Sequence, residues 1–207
     1  MNEETAALRD RRVNGSVRLV AGATVHPGDD DPGGMVEDAV QRLGARVLKL
    51  HCAVGRFGLG DTRLEPVWKV AAMRRLPVVI HAGHEPLGHT RDAHLHGLSH
   101  LAERHPELPI IVAHLGYPAI QAVLEQMERY DNLHADLTPV VVEPVDVDPS
   151  DLRRFSGRLL FGSDAPNTGV RVTALLDRLQ RAGLQDEQFR AIVGGNAARL
   201  VAAVRVS

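Results

Sequence analysis

The chain has 207 residues, 44% of them hydrophobic, enough for one domain with a proper core spanning residues 1–207. It carries 24 Lys and Arg against 26 Asp and Glu, a formal charge of −2, and only 3% aromatics, which argues against a nucleic-acid partner. The single cysteine, Cys52, excludes a disulfide framework and points to a reducing compartment, taken as the cytoplasm, while neither a signal peptide nor a membrane-spanning apolar run is legible.

Taken in chain order, short apolar runs alternate with helical stripes. Residues 17–25 (VRLVAGATV) read as a first strand, followed by a helix with Val36, Ala39, Val40 and Leu43 on one face. Residues 46–51 (RVLKLH) form the next strand, with Leu64, Val67, Trp68 and Ala71 striping the helix after it. Strand 77–83 (PVVIHAG) precedes a helix at about 94–105 that buries Leu98, Leu101 and Ala102. Strand 109–116 (PIIVAHLG) leads to a helix striped by Ile120, Val123, Leu124 and Met127. Strands 132–138 (NLHADLT) and 158–164 (RLLFGSD) follow, and then a helix with Val172, Leu175, Leu176 and Leu179. Gly44 and Gly183 fall where helices should stop.

The strands are nearly continuous apolar runs, as parallel strands covered on both faces require. Repeated β-α order leaves two architectures, a doubly wound open sheet or a (β/α) barrel. No glycine-rich phosphate loop follows the first strand, which weakens the nucleotide-binding open sheet. A full barrel takes about 250 residues for eight units, roughly 31 each. The chain therefore holds 207/31, about 6.6 units, and six strands are legible. The fold class is α/β, a TIM-like (β/α) barrel that is incomplete, with about six of eight units.

Eleven histidines among 207 residues is a high count, and several stand where active sites of such folds gather, at the C-terminal strand ends. These ends read Lys49-Leu50-His51, His81-Ala82-Gly83-His84, His114-Leu115-Gly116, His134-Ala135-Asp136 and Ser163-Asp164. Imidazole and carboxylate groups after an apolar run must be paired or ligated where they are buried. Converging His and Asp side chains suit a borderline divalent metal. Taken alone, His51 and His134 read as structural histidines. Lys49 shares a face with His51 and reads equally as a snorkelling rim lysine.

The remaining candidates read more plainly. His96 and His100 lie opposite the apolar stripe of their helix and lack the glutamate of a metalloprotease motif, so they are expected on the surface, with His94 and His105 beside them. His26 precedes a proline turn and is expected to cap it. Cys52 should point away from the His51 face, which disfavours a nucleophile, and no Gly-x-Ser-x-Gly elbow occurs.

The ordered set PVVIHAG (77–83), HPELPIIVAHLG (105–116), NLHADLT (132–138), RLLFGSDAP (158–166) and IVGGNAARL (192–200) resembles the amidohydrolase superfamily. The likeness runs from about residue 17 to 202, closest to the branch of metal-dependent TIM-barrel hydrolases that includes aminocarboxymuconate-semialdehyde decarboxylase-like enzymes. The resemblance implies that His81 ligates one divalent ion, zinc first and manganese second, and that Asp164 binds both metal and catalytic water. It implies that His114 contacts water or substrate, leaving Lys49, His51 and His84 as substrate-binding candidates. Members also carry a His-x-His pair on the first strand, whereas the only one here is His94-Leu95-His96, in a helix. The expectation is a member lacking its first two units, with weak metal affinity and unpaired strand edges at 17–25 and 158–164, completed either upstream or by a partner chain or second copy.

Three functional readings follow. The first is a metal-dependent hydrolase of a small amide, lactone or related carbonyl compound. The second is a non-oxidative decarboxylase of a small unsaturated or aromatic acid, with Lys49, Arg56 or Arg91 available to grip a carboxylate. The third is a catalytically silent barrel fragment serving binding or assembly. The glycine-rich segment 52–63 is a candidate lid.

Overall fold

The computed structural model describes residues 2–10, 19–81, 91–138, 141–142, 145–164 and 167–206. His84 lies outside the described residues, as do the side chains of Arg91, His94 and His96.

Helix α1 (Asn2–Asp10) precedes strand β1 (Gly22–Ala23) and helix α2 (Pro32–Gln41). Asp31 starts α2 by accepting a hydrogen bond from the Gly34 N–H at 2.8 Å, with Pro32 in the first turn. Strand β2 (Val47–His51) runs directly into α3 (Cys52–Gly55), and a 3₁₀ turn at Thr62–Leu64 leads into α4 (Glu65–Arg74). Then come β3 (Val78–His81), α5 (Arg91–Arg104), β4 (Ile110–Val112), α6 (Ile120–Arg129) and β5 (Leu133–Asp136). A small hairpin, β6 (Val141–Val142) with β7 (Val145–Asp146), and helix α7 (Pro149–Arg154) precede β8 (Leu159–Leu160). The chain closes with α8 (Val172–Arg181), α9 (Asp186–Arg190), a π-helical turn at Ala191–Gly195 and α10 (Asn196–Ala202). No helix among the described residues is long and apolar enough to cross a membrane.

The main sheet has six parallel strands in the order β1-β2-β3-β4-β5-β8. This is the incomplete barrel expected from the length. Register fixes which side chains share a face. Lys49 pairs with Val79, Val79 with Ile111 and Ile111 with His134, so these four stand on the inner face. The intervening residues Leu48, Leu50, Val78, Ile80, Ile110, Val112, Leu133, Ala135 and Leu159 form the outer face and are buried in the main core against the helices. There the expected stripes are found: Val36, Val67, Ala71, Val123, Leu124, Met127, Leu175 and Leu179 are buried, as are Leu98, Leu101 and Ala102. Val172 is exposed. A second, smaller cluster fills the foot of the inner face, where Leu200 of α10 packs on Ile111 and Leu160.

The strands are shorter than the apolar runs that encode them. The 109–116 run leaves the ladder after Val112 because His114 and Leu115 adopt left-handed φ values of 56° and 48°. The 158–164 run ends its ladder at Leu160, and Asp164 has a φ of 49°. Gly44 and Gly183 do end helices, both at φ 67°.

Among the described residues neither edge strand has a strand partner on its outer side, as expected, but other groups meet both edges. Ala21 uses its carbonyl toward β2, accepting from Arg46 at 3.0 Å, so by alternation Thr24 faces the outer edge. There the Asn2 amide imitates a neighbouring strand, donating to the Thr24 carbonyl at 3.1 Å and accepting from its N–H at 3.0 Å. At the other edge Phe161 N–H donates to the Ile192 carbonyl at 2.9 Å. One edge is met by a side-chain amide and the other by a backbone carbonyl, one way of blunting an edge against pairing.

Asn196 pins α10 to β8. It is 4% exposed and its Nδ2 donates to the carbonyls of Ser156 at 2.8 Å and Leu159 at 2.7 Å. Asn196→Ala should leave two carbonyls without a donor and lower the unfolding free energy by about 2 kcal/mol. Urea denaturation checks this as a drop in midpoint at unchanged m; a change within about 0.5 kcal/mol would show that other contacts hold α10 in place.

Candidate active site

The C-terminal strand ends place His51, His81, His114, Asp136, Asp164 and Lys49 around one end of the inner face. His51 pairs with His81 across β2 and β3, and their rings stack with centroids 3.9 Å apart at 15°. The His81 ring meets His114 edge-on, 4.9 Å between centroids at 72°. Three neighbouring strand ends therefore present a contiguous column of imidazoles.

Each ring is oriented by its surroundings. His51 is the N-cap of α3, its Nδ1 accepting from the Val54 N–H at 3.4 Å. An Nδ1 that accepts carries no proton, so the neutral ring holds its proton on Nε2, as a donor. His114 is the converse case. Its Nδ1 hydrogen-bonds the Thr138 carbonyl, which can only accept, so the neutral ring has its lone pair on Nε2. Burial lowers the pKa of His51, helped by Lys49 and His114, with Asp164 opposing.

Asp136 organises the turn that carries His114. Its Oδ1 accepts from the His114 N–H at 3.0 Å and the Thr138 N–H at 3.1 Å, and lies 4.0 Å from His114 Nδ1. The left-handed conformation of His114 is thus held by a carboxylate on the adjacent strand. Gly162 permits the approach of β8 to this turn, since a Cβ there would lie 2.3 Å from Thr138 Oγ1. Asp164 stands in its own tight turn. Its carbonyl accepts from Asn167 N–H at 2.7 Å and its Oδ1 from Asn167 Nδ2 at 3.2 Å.

Lys49 faces these carboxylates. Burial lowers its ammonium pKa, while the charges of Asp136 and Asp164 push it back up. The lysine is half-buried rather than fully solvated.

The structure therefore brings together Lys49, His51, His81, His114 and Asp164, and adds Asp136 with Thr138. Asp136 was visible as a strand-end carboxylate, but its link to His114 spans two strands and has no local signature. Cys52 is buried. His26 caps its turn, Nδ1 accepting from Gly28 N–H at 2.9 Å. His100 is exposed, as expected, whereas His105 is only half-exposed. Its Nε2 is buried and its carbonyl accepts from Asn132 Nδ2 at 3.0 Å, because the end of α5 folds onto the turn before β5. Segment 52–63 is built as a helix and a 3₁₀ turn, tied to His26 Nε2 through the Gly55 carbonyl at 2.9 Å.

Imidazoles and carboxylates without thiolates suit zinc or manganese in kind. In number the match is partial. Among the described residues no three His, Cys, Asp or Glu stand in an ion-binding cluster. The stacked His51 and His81 rings point their in-plane lone pairs side by side, not toward one another, and His51 holds its proton on Nε2. The ligand candidates that the resemblance implies, His81 and Asp164, number two, where a catalytic zinc takes three.

A (β/α) barrel with its polar residues gathered at the strand C-termini is what fold and site together define. The amidohydrolase family model matches residues 2–202, and the chain belongs to that family. No curated protein matches it. Among solved structures it is similar to a TIM-barrel protein from Bordetella bronchiseptica, at TM-score 0.81 and 18% identity over 98% of this chain and 72% of that one. It is also similar to 5-carboxyvanillate decarboxylase from Sphingomonas paucimobilis, at TM-score 0.72 and 16% identity over 99% and 71%. A third likeness is to an Acinetobacter baumannii protein described as a 2-pyrone-4,6-dicarboxylic acid hydrolase, at TM-score 0.59 and 15% identity over 89% and 73%. At such identities these likenesses concern the fold. Members of the family are in general enzymes, and both hydrolases and decarboxylases stand among these neighbours.

His134 stands apart from the strand-end site, lower on the same face. It is 7% exposed, and burial, with Arg199 and Arg158 adding to it, lowers its pKa to about 4. The folded protein then binds fewer protons than the unfolded chain between about pH 6.5 and 4. Stability present at neutral pH should fall as pH drops through that window, by up to about 3 kcal/mol from this group. Urea unfolding of wild type and His134→Gln at a series of pH values checks this. A wild-type slope no steeper than the variant's would show that His134 does not titrate this way.

Proposed function

We propose that the chain carries an amidohydrolase-type site that hydrolyses a small amide, lactone or related carbonyl compound. What supports the reading above all is the convergence of His114, with its Nε2 lone pair directed by the Thr138 carbonyl, and Asp164 on the inner face that Lys49 shares. His81 and Asp164 would hold one divalent ion, whose chemistry when bound is Lewis-acid polarisation of a carbonyl oxygen. Asp164 takes a proton from the attacking water and returns it to the leaving group. His114 orients that water through Nε2 or, once protonated, steadies the developing oxyanion. Lys49 and the Nε2–H of His51 provide donors for a substrate carboxylate or carbonyl oxygen; His84 belongs to the same proposal from its place in sequence. A second copy or a partner chain closing the open side of the sheet would supply the ligand that His81 and Asp164 lack.

A second reading, non-oxidative decarboxylation of a small unsaturated or aromatic acid, is favoured by one observation, the half-buried Lys49 cation among the site residues. In that reaction the carboxylate leaves as CO₂ and Asp164 delivers the proton that replaces it.

The two are separated by assaying base uptake and CO₂ release on one panel of lactones, amides and unsaturated acids, after loading with zinc or manganese. Hydrolysis without CO₂ is expected, with kcat falling about 10²-fold or more in Asp164→Asn. CO₂ release without hydrolysis would replace the first reading by the second, and no turnover of either kind would leave a silent barrel.

A further inference from the structure

The foot of the barrel, at the opposite end of the strands from the candidate active site, holds a second polar constellation. A cavity of about 490 Å³ opens there, lined by residues that precede β3, β4, β5 and β8 and by α10. Three arginines, Arg75, Arg158 and Arg199, reach it from three different segments, with His134 at its floor. Two lining carboxylates oppose them, Glu107, which pairs with Arg75, and Asp131, whose side chain is fully exposed 3.9 Å from Arg158. The count is three cations against two anions, with His134 neutral at pH 7, an excess of one positive charge.

Two polar atoms at this foot have no hydrogen-bond partner although both are buried, Arg75 Nε and His134 Nδ1. Buried donors and acceptors in proteins are nearly always satisfied, and each unsatisfied group costs about 1–3 kcal/mol. The arginines are also pre-positioned. Arg158 spends one N–H on the Tyr130 carbonyl at 3.0 Å, and Arg199 donates to the Gly157 carbonyl at 2.8 Å and to Asn196 Oδ1 at 3.3 Å. A guanidinium carries five N–H donors in a fixed fork, so both retain capacity while their planes are held. Apolar groups cannot meet these requirements. A ligand that accepts several hydrogen bonds and carries negative charge can.

We propose that the foot of the barrel, between Arg75, Arg158, Arg199 and His134, binds a small dianionic oxyanion, a phosphate group or a dicarboxylate. The three guanidinium groups supply charge-assisted donors from separate elements. His134 lines the same cavity, so its ring reports the arrival of the ligand. The site is distinct from the strand-end cluster, since His134 and Asp136 lie on one strand face with the rise of two residues, about 7 Å, between them.

Calorimetric titration of the full chain with inorganic phosphate and, separately, with succinate tests this at constant ionic strength held with chloride. The expected result is saturable binding of one equivalent of one of the two, and which one binds identifies the ligand class. In Arg158→Gln/Arg199→Gln the dissociation constant should rise at least about tenfold, while Arg63→Gln, an exposed arginine paired with Asp61, should bind as wild type. If the double variant does not fold, the wild-type protein alone suffices: the His134 ring resonances, assigned by comparison with His134→Gln, should shift during the titration. Binding of neither ligand beyond the chloride control would overturn the proposal, and so would binding that leaves the His134 resonances unmoved.

Discussion

In-register parallel pairing is the constraint on which the rest depends. Each strand of the main sheet is matched residue for residue with its neighbour, so side-chain parity, once set in β2, propagates across β3, β4 and β5. Leu48 and Leu50 are fully buried against the helices, and that burial forces Lys49 and His51 onto the other face. A one-residue slip in any strand would send leucines and isoleucines to the inner face and the imidazoles into the core, a change opposed by the transfer free energy of every buried side chain in that strand. The polar constellation is therefore fixed by the hydrophobic residues between its members.

The same parity stacks two chemistries on one surface. Val79, Ile111, Leu160 and Leu200 form an apolar layer on the inner face; His51, His81 and Asp136 stand beyond it at the strand ends. His134 lies on the foot side, beside the arginines that precede the strands. Leaving the ladder is what frees the upper groups. His114, Leu115 and Asp164 all take left-handed φ, at roughly 1–2 kcal/mol for each non-glycine residue. At His114 the cost is offset by the two backbone N–H groups that converge on the Asp136 carboxylate, charge-assisted bonds that are stronger than neutral ones.

Periodicity made the strand order, the helical stripes and the common face of Lys49 and His51 legible before any coordinates, because each is a property of residues close in sequence. What periodicity could not supply was anything decided by a distant neighbour. The run at 158–164 looks like seven residues of strand, yet pairing is confined to Leu159 and Leu160. Phe161 turns its N–H to Ile192 instead. Asn2 gives no sign in the sequence that it will stand in for a strand beside Thr24. Asp136 was one of two strand-end acids until its contact with the turn of β4 gave it a role. His105 followed the pattern of a surface helix histidine, and only the packing of Asn132 against its carbonyl draws it inward.

Curvature is the remaining requirement, and it decides what an incomplete barrel can do. His81 ends β3 and Asp164 follows β8, three strand intervals away in the sheet order. In a flat sheet that is roughly 14 Å at about 4.8 Å per interval, whereas two ligands of one ion, each about 2 Å from it, stand some 3–4 Å apart. Two ligands of one ion drawn from β3 and β8 therefore need a rolled sheet, and in a closed barrel that roll is imposed by hydrogen-bonded closure. Here it is held by other means, the helices on the outer face and α10 across the foot, pinned to β8 by Asn196. The His114–Asp136–Thr138 network lies within two adjacent strands and their turns, so it tolerates imperfect curvature. The proposed metal pair, His81 with Asp164, would not, since a small unrolling would separate its members directly. On the proposed function, metal affinity would accordingly be more sensitive than the histidine network to anything that loosens α10 or completes the barrel.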